Sequence, residues 1–392
     1  MHRRFLVFSL LAATQILGWG TVGILPVTAA RAAKDLGVDL AVVFLGTSVL
    51  FVTMGLAAPW AGRGFRRFGA RRVMAAGALL IGVSLAVIAF APSPEIFLAG
   101  WAITGFGGAM FLTTAAYVYL ADCGDERARG LIGSLMLVTG LAGSVFWPVT
   151  AFLDGLYGWR VTVLIYAAVM VLLVSPAVVF GLPETGAAAN REKTANRPER
   201  GRDRIFLLVV LIIVLNGFAT FGIESVGIEL FRALGTDLAR AVAIASLLGI
   251  FKVGGRVIDL LGGRNWDGLS TALVSGATIP LGLMAVAFWG ASVWAVAGYL
   301  CLFGLGSGAF AVARATMPLV FYRKADYAIA MSAIALPMNL INALAPPALA
   351  ALLVRTGPYE VLGLLAAIST AAFALLLYLN RLRDRATALE ES

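Results

Sequence analysis

Long apolar stretches alternate with short polar segments along most of the chain. Most stretches hold roughly 20 residues, the length with which an α-helix crosses a hydrocarbon core about 30 Å thick. The stretch that starts at Gly268 is about twice that length, and Gly290-Ala291-Ser292 predicts a tight turn that divides it into two helices. The pattern therefore predicts twelve membrane-spanning helices. Their predicted ranges are Phe5–Ala30, Leu40–Gly62, Val73–Pro94, Ile96–Ala121, Gly130–Leu153, Val161–Pro183, Ile205–Ile223, Ala241–Gly255, Gly268–Ala313 as a pair, Tyr327–Val354 and Val361–Asn380.

The composition agrees with a membrane protein and excludes two soluble classes. Hydrophobic residues make up 60% of the chain and charged residues 13%, against roughly 25% charged residues in soluble domains. A soluble enzyme or a nucleic-acid-binding protein could not cover its surface with so few polar groups. The net charge of +9 comes from basic residues that lie between the apolar stretches, so it requires no nucleic acid as a partner.

The distribution of these basic residues predicts an orientation. If the N-terminus lies in the cytoplasm, 22 of the 30 Lys and Arg residues fall on the cytoplasmic side and 6 fall outside. Basic residues are enriched in the cytoplasmic loops of membrane proteins. We therefore expect a multi-pass protein of a bacterial cytoplasmic (inner) membrane, with both termini in the cytoplasm.

The chain also consists of two related halves. The charged segment 184–204 has no hydrophobic periodicity and predicts a cytoplasmic linker between an N-terminal bundle of six helices, 1–183, and a C-terminal bundle of six, 205–392. Gly18 and Gly217 are separated by 199 residues, and similar residues recur at this offset or at 193. Further pairs are Gly105 with Gly304, Gly62 with Gly255, Gly69 with Gly262 and Arg71 with Arg264. Because both halves begin on the same side of the membrane, the sequence predicts a parallel repeat with a pseudo-two-fold axis along the membrane normal.

These features together resemble the major facilitator superfamily over the whole chain. The most specific motif is the loop Gly62–Arg72 and its second copy Gly255–Arg264. The family has an acid in this motif; Arg66 replaces it in the first copy, whereas the second copy retains Asp259. The resemblance implies that these loops close the cytoplasmic side through charge pairs, and Arg66 leaves the pairing of the first copy open. The candidate gating residues are Gly62, Arg67, Gly69, Arg71, Arg72, Gly255, Asp259, Gly262 and Arg264.

Charged side chains inside spans are candidates for function because they are costly there. Lys252 lies near the middle of the eighth span, Arg314 in the tenth and Glu224 toward the outer end of the seventh, while the spans of the first half contain no acid. Each residue also has a structural interpretation: Lys252 could snorkel to the surface, Arg314 could bind helix-end carbonyls, and Glu224 could belong to a hydrated rim. The span next to Lys252 offers no evident acid, so a water-filled cavity and an anionic ligand are its expected partners.

Within the superfamily, Gly140–Pro148 followed by Tyr157–Arg160 resembles monocarboxylate and oxalate/formate-type carriers. That resemblance implies a cation that faces the substrate on the eighth helix, near Lys252. It also implies a central cavity lined by the first, fourth, seventh and tenth helices. Polar and aromatic residues there, together with one on the fifth helix, are further candidates for contact with substrate, although a buried Asn more often bonds a neighbouring helix. They are Gln15, Trp19, Tyr117, Trp147, Asn216, Asn339 and Asn342.

The predicted function is secondary transport by alternating access. No nucleotide-binding loop, metal-ligand cluster or catalytic pair occurs in the spans, so we expect no enzyme activity, cofactor or metal. The preferred substrate is a small organic anion, and protons or a counter-substrate would drive its movement through the monomer. The alternatives are proton-coupled efflux of a drug-like or amphipathic compound with Glu224 as the proton carrier, or a transporter-shaped receptor without flux.

Overall fold

The computed structural model describes residues 2–122, 128–184, 204–261, 267–321 and 324–390. The chain divides into two compact units, Met1–Lys193 and Thr194–Ser392. Helices form every regular element of the described residues, which confirms the all-α prediction. Most of the predicted linker, together with Gly262 and Arg264, lies outside the described residues.

The described residues of the first unit form ten α-helices that together correspond to six predicted spans. They are α1 His2–Val22, α2 Leu25–Leu36, α3 Leu40–Phe68, α4 Ala70–Ala89, α5 Pro94–Phe111, α6 Thr113–Asp122, α7 Ala128–Thr139, α8 Ala142–Tyr157, α9 Trp159–Ala168 and α10 Ser175–Gly181, with a π-helical turn at Val169–Val174 between the last two.

The described residues of the second unit form eight α-helices. They are α11 Arg204–Ala233, α12 Leu238–Leu261, α13 Gly268–Trp289, α14 Val293–Tyr299, α15 Leu305–Thr316, α16 Pro318–Phe321, α17 Lys324–Thr356 and α18 Pro358–Glu390, with a π-helical turn at Leu300–Gly304. The predicted turn between the ninth and tenth spans occurs at Gly290, where φ is 59°.

Eleven spans in the described residues are long and apolar enough to cross a membrane, and Leu340–Thr356 adds a shorter apolar helix. These segments agree with the twelve predicted helices. The structure differs in continuity, because the first, fourth and fifth spans are each built from two helices with a break between them. The breaks leave backbone carbonyls that side chains bind: the indole of Trp147 donates to Gly23 O (3.1 Å) and Gln15 Nε2 donates to Phe111 O (2.8 Å).

Glycines at the repeated positions pack helix backbones together within each unit. A Cβ at Gly105 would collide with Thr53 and the carbonyl of Leu50 on α3, and a Cβ at Gly304 would meet Phe251 on α12. Each unit therefore uses a glycine of its fourth span to let its second span approach closely.

Candidate functional site

A charged cavity of about 170 Å³ lies within the second unit. Helices α11, α12, α15 and α17 contribute its lining. The charged groups among the described lining residues are three cations, Lys252, Arg256 and Arg314, and one carboxylate, Glu224. Thr220, Ser307 and Asn342 add polar groups. The cavity thus brings together the three charged candidates that the sequence placed in separate spans.

Lys252 Nζ forms an ion pair with Glu224 Oε1. This contact corrects the expectation that Lys252 has no acid nearby, and it also corrects the placement of Glu224 near an outer rim. The seventh span does not end at Ile223; α11 continues to Ala233 because Ser225 to Phe231 are buried. Glu224 therefore lies inside the helix and reaches Lys252 on the adjacent α12. The Lys252 side chain is 14% exposed and that of Glu224 is 35% exposed.

A crossing of two helix backbones fixes the position of Lys252. A Cβ at Gly308 on α15 would collide with the carbonyl oxygen of Lys252, and a Cβ at Gly255 on α12 would collide with the carbonyl oxygen of Leu305. The two helices can approach this closely only because neither glycine has a side chain. Gly255, a predicted gating residue, therefore serves the packing that supports the cavity.

The two arginines of the cavity come from both crossing helices. Arg256 follows Lys252 by one helical turn, so the two side chains share a face of α12. Arg314 lies in the last turn of α15. Each arginine makes further interactions in the structure. The charged side chains of the described lining thus include more basic than acidic groups.

The asparagine candidates divide between cavity and core. Asn342 lines the cavity. Asn216 is completely buried, and its Nδ2 donates to the carbonyl of Ile212 in its own helix (3.2 Å). These contacts favour a structural role for Asn216 in this conformation. The backbone of Asn339 belongs to α17, while its side chain lies outside the described residues.

The candidate substrate-contact residues of the first unit interact with other residues of that unit. Gln15 is completely buried and Trp147 is half-buried, and both satisfy carbonyls at helix breaks. Trp19 donates its indole N–H to Thr113 Oγ1 at 2.6 Å. Tyr117 is half-buried and makes an interaction of its own. Gln15, Trp19 and Trp147 thus support broken helices, which a sequence pattern of continuous apolar stretches does not reveal.

The first gating loop is tied to the end of the sixth span. Arg71 and Arg72 both pair with Glu184, Arg72 at 3.0 Å, and Arg71 also donates to the carbonyl of Leu182. The loop reverses at Gly69, where φ is 81°. Exposed Arg67 lies over the ring of Phe68, and half-buried Gly62 lies inside α3. Glu184 therefore provides an acid for this loop although Arg66 replaces the acid of the motif.

The second gating loop has a different set of partners. Asp259 accepts a hydrogen bond from Thr271 Oγ1 at 2.6 Å. Asp267 caps the N-terminus of α13 through Ser270 N and pairs with Arg383 at 2.8 Å. Burial raises the pKa of Asp267, but its hydrogen bonds to Ser270 and the charge of Arg383 outweigh burial and lower that pKa overall.

Sequence reasoning missed one buried acid of the first unit. Asp154 lies in α8, within the fifth span, and is 1% exposed. The expectation that the first-half spans contain no acid is therefore wrong. The predicted span ended at Leu153, whereas α8 continues to Tyr157 and ends before Gly158. Glycine commonly follows the last residue of a helix, so Gly158 is the sequence signal that would have placed Asp154 inside the span.

Comparisons with known proteins agree with this architecture. The family model "Major Facilitator Superfamily" matches residues 8–301. An uncharacterized MFS-type transporter of Bacillus subtilis (strain 168), YcxA, is 26% identical over 145 residues, which cover 37% of this chain and 36% of the relative. The chain thus matches about a third of that relative's length.

Two solved structures share the fold at low identity. A crystal structure of a variant of the nucleoside transporter NupG has a TM-score of 0.77 at 15% identity, covering 95% of this chain and 99% of that one. A bacterial homolog of the human lysosomal transporter Spinster, in an inward-facing and occupied conformation, has a TM-score of 0.74 at 16% identity, covering 97% of both chains.

Proposed function

The chain belongs to the major facilitator superfamily, and from this premise we propose that it carries a small organic anion across the membrane by alternating access. As a member of this family it is a transporter and not an enzyme. The observation that carries the proposal is the cavity of the second unit, whose described charged lining consists of three cations and one carboxylate.

The charge and the size of the cavity both favour a small anion. An anion that enters the cavity would meet more cations than carboxylates, and this lowers the cost of burying its charge. Pockets for drug-sized ligands measure roughly 300–1,000 Å³, whereas this cavity measures about 170 Å³. A small carboxylate suits this space better than a drug-like compound does.

Glu224 is the coupling residue in this proposal. Its carboxylate occupies the side of Lys252 that the carboxylate of a substrate would take. An incoming anion would displace Glu224 from Lys252, and the released carboxylate would then accept a proton because it remains in a partly buried site. Anion and proton would therefore move together.

A binding screen tests the substrate class. Purified full-length protein is mixed with monocarboxylates, dicarboxylates, nucleosides and drug-like cations, and its thermal unfolding midpoint is measured. We expect stabilisation by a carboxylate, since a ligand that binds only the folded state stabilises it. Stabilisation by drug-like cations without any response to anions would contradict the proposal and favour proton-coupled export through Glu224.

Uptake into proteoliposomes then tests the coupling. With the carboxylate from the screen, Glu224→Gln should abolish uptake driven by a proton gradient and should preserve exchange of labelled for unlabelled anion. Glu224→Asp, which retains the acid, should keep part of the driven uptake. Proton-driven uptake at the wild-type rate in Glu224→Gln would exclude Glu224 as the coupling group.

The orientation belongs to the same proposal. We place the chain in a bacterial inner membrane with both termini in the cytoplasm, on the distribution of its basic residues. In this orientation, the ion pairs of Glu184 with Arg71 and Arg72 lie on the cytoplasmic side of the first unit. The chain is proposed to work as a monomer without nucleic acid, cofactor or metal.

A further inference from the structure

Asp154 is a buried carboxylic acid that lies outside the proposed anion site. It is found one turn before the end of α8, and its side chain is 1% exposed. Neither of its carboxylate oxygens accepts a hydrogen bond from the described residues. A carboxylate in such a place loses the hydration of its charge and receives no hydrogen bond in return.

The ion-pair partner of Asp154 compensates this loss only in part. Arg31 Nη1 on α2 lies 3.3 Å from Asp154 Oδ1, yet the hydrogen bond of the same nitrogen goes to the backbone carbonyl of Asp154, at 2.5 Å. The Arg31 side chain is 49% exposed, so water screens its charge. Arg31 thus favours the ionised form of Asp154 while it leaves both carboxylate oxygens without a hydrogen bond.

Neighbouring helices bring other ionisable groups to this end of the unit, and two of them have partners of their own. On α9, Arg160 Nε pairs with Asp35 of α2 at 2.7 Å, and Tyr166 shares a hydrogen bond with Thr150 at 2.8 Å. Lys34 of α2 is exposed. The part of α1 from residue 5 to 22, which packs on α8, contains no charged residue. Arg31 is therefore the charged group that the described structure pairs with Asp154.

Glu229 in the second unit provides a contrast. It is also buried, at 9% exposure, but both of its carboxylate oxygens accept hydrogen bonds from Arg232 Nη1 at 3.1 Å. Hydrogen bonds to a carboxylate stabilise its ionised form. The two acids share burial and a nearby arginine, and they differ in hydrogen bonding to the carboxylate.

We propose that Asp154 is a proton-binding site whose ionised form holds α2 on α8 through Arg31. Helix α2 begins after the break at Gly23 and Ile24, where Trp147 of α8 also binds the chain through the carbonyl of Gly23. Protonation of Asp154 removes its ion pair with Arg31 in the middle of α2, while the hydrogen bond from Arg31 to the Asp154 carbonyl and the contact at the break remain. The first unit thereby gains a response to protons that is separate from Glu224.

Infrared difference spectroscopy of the full-length protein tests proton binding directly. Spectra at about pH 5 and about pH 8 are compared with and without carbon-13-labelled aspartate. Exposed aspartates have a pKa near 3.9 and stay largely ionised over this range. We expect a carboxylic-acid carbonyl band at low pH that shifts with the label, disappears in Asp154→Asn and persists in the matched control Glu229→Gln.

Two further measurements test whether the ion pair of Asp154 with Arg31 holds α2. Arg31→Gln should increase the ratio of protonated to ionised Asp154 about tenfold or more, because an opposite charge within about 4–6 Å favours the ionised form. Protection factors for amide hydrogen exchange, which correct for the intrinsic pH dependence of exchange, should be lower at low pH for residues 25–36 of the wild type and should not change with pH in Asp154→Asn.

Three outcomes would overturn the proposal. They are a low-pH spectrum without an aspartate-dependent band, a band that remains in Asp154→Asn, and protection of α2 against exchange that changes with pH equally in that variant. The labelled wild-type spectrum needs no substitution, so the absence of an aspartate band at low pH overturns the proposal even where Asp154→Asn does not fold.

Discussion

Replacement of Lys252 by Gln should change both the binding of the proposed anion and the stability of the fold. Its ammonium group pairs with Glu224 inside the cavity, so the substitution removes an anion-binding cation and also leaves a carboxylate without its ion-pair partner. Without an ion pair, a neutral residue at this position would only relieve a desolvation cost. The ion pair changes that expectation, because the variant now has two effects of different origin.

Both effects have a magnitude that follows from the site. Hydrogen bonds to charged groups contribute about 1.5–3 kcal/mol, and about 1.4 kcal/mol corresponds to a factor of ten in affinity. Lys252→Gln should therefore weaken binding of the anion about 10- to 100-fold. Breaking a buried ion pair costs about 3–5 kcal/mol. Because Glu224 is 35% exposed, water offsets part of this cost, and we expect a loss of about 1–2 kcal/mol.

A double variant distinguishes the two effects. In Lys252→Gln/Glu224→Gln both side chains are neutral, so stability should recover while the affinity for the anion stays low. Lys252→Arg should retain part of the affinity, and Lys34→Gln, at an exposed position of the first unit, is the matched control. Titration calorimetry with the carboxylate from the screen gives the affinity, and thermal unfolding gives the stability. An unchanged affinity in Lys252→Gln, or a double variant less stable than the single one, would refute the reasoning.

Three further predictions concern packing, capping and topology. Gly308→Ala should displace the backbone at Lys252 and weaken anion binding in a titration, whereas Gly363→Ala, which points into open space, should not. Asp267→Ala should cost about 1 kcal/mol of cap stability in a denaturation series at neutral pH. Since the pKa of Asp267 is lowered below 3.8, this contribution should persist down to about pH 4 and disappear as the pH falls further. Cysteine labelling of intact cells should reach positions 92–95 and should not reach 192–202; labelling of the latter would reverse the topology.

The sequence predicts the helices well because length and hydrophobicity are local properties. The turn at Gly290 and the packing glycines Gly105 and Gly304 were also predictable, since a missing side chain has the same meaning in any helix. The broken helices were not, because the side chains that bind their free carbonyls are distant in sequence. Gln15 reaches Phe111 across 96 positions.

The acids of the two proposed sites, Glu224 and Asp154, were missed or misplaced for one physical reason. A search for apolar stretches ends a span at the first charge, and the predicted ends at Ile223 and Leu153 lie directly before Glu224 and Asp154. In the fold both helices continue, and each acid is paired with a cation from another helix. Local hydrophobicity cannot identify such a partner, because the partner depends on how the helices pack.

The repeat duplicates the packing of the helices but not the buried charges of the two sites. At the offset of 193, Lys252 corresponds to Pro59, and at the offset of 199, Glu224 corresponds to Leu25 and Arg314 to Ala115. Asp154 and Arg31 likewise correspond to Leu353 and Leu230 in the second half. Each unit thus has a charged site that the other lacks. Close backbone packing needs the same small residues in both halves. A buried charge needs only a partner within its own unit, so neither charged site depends on the other. For this reason we expect the anion site and the proton site to be separable by mutation.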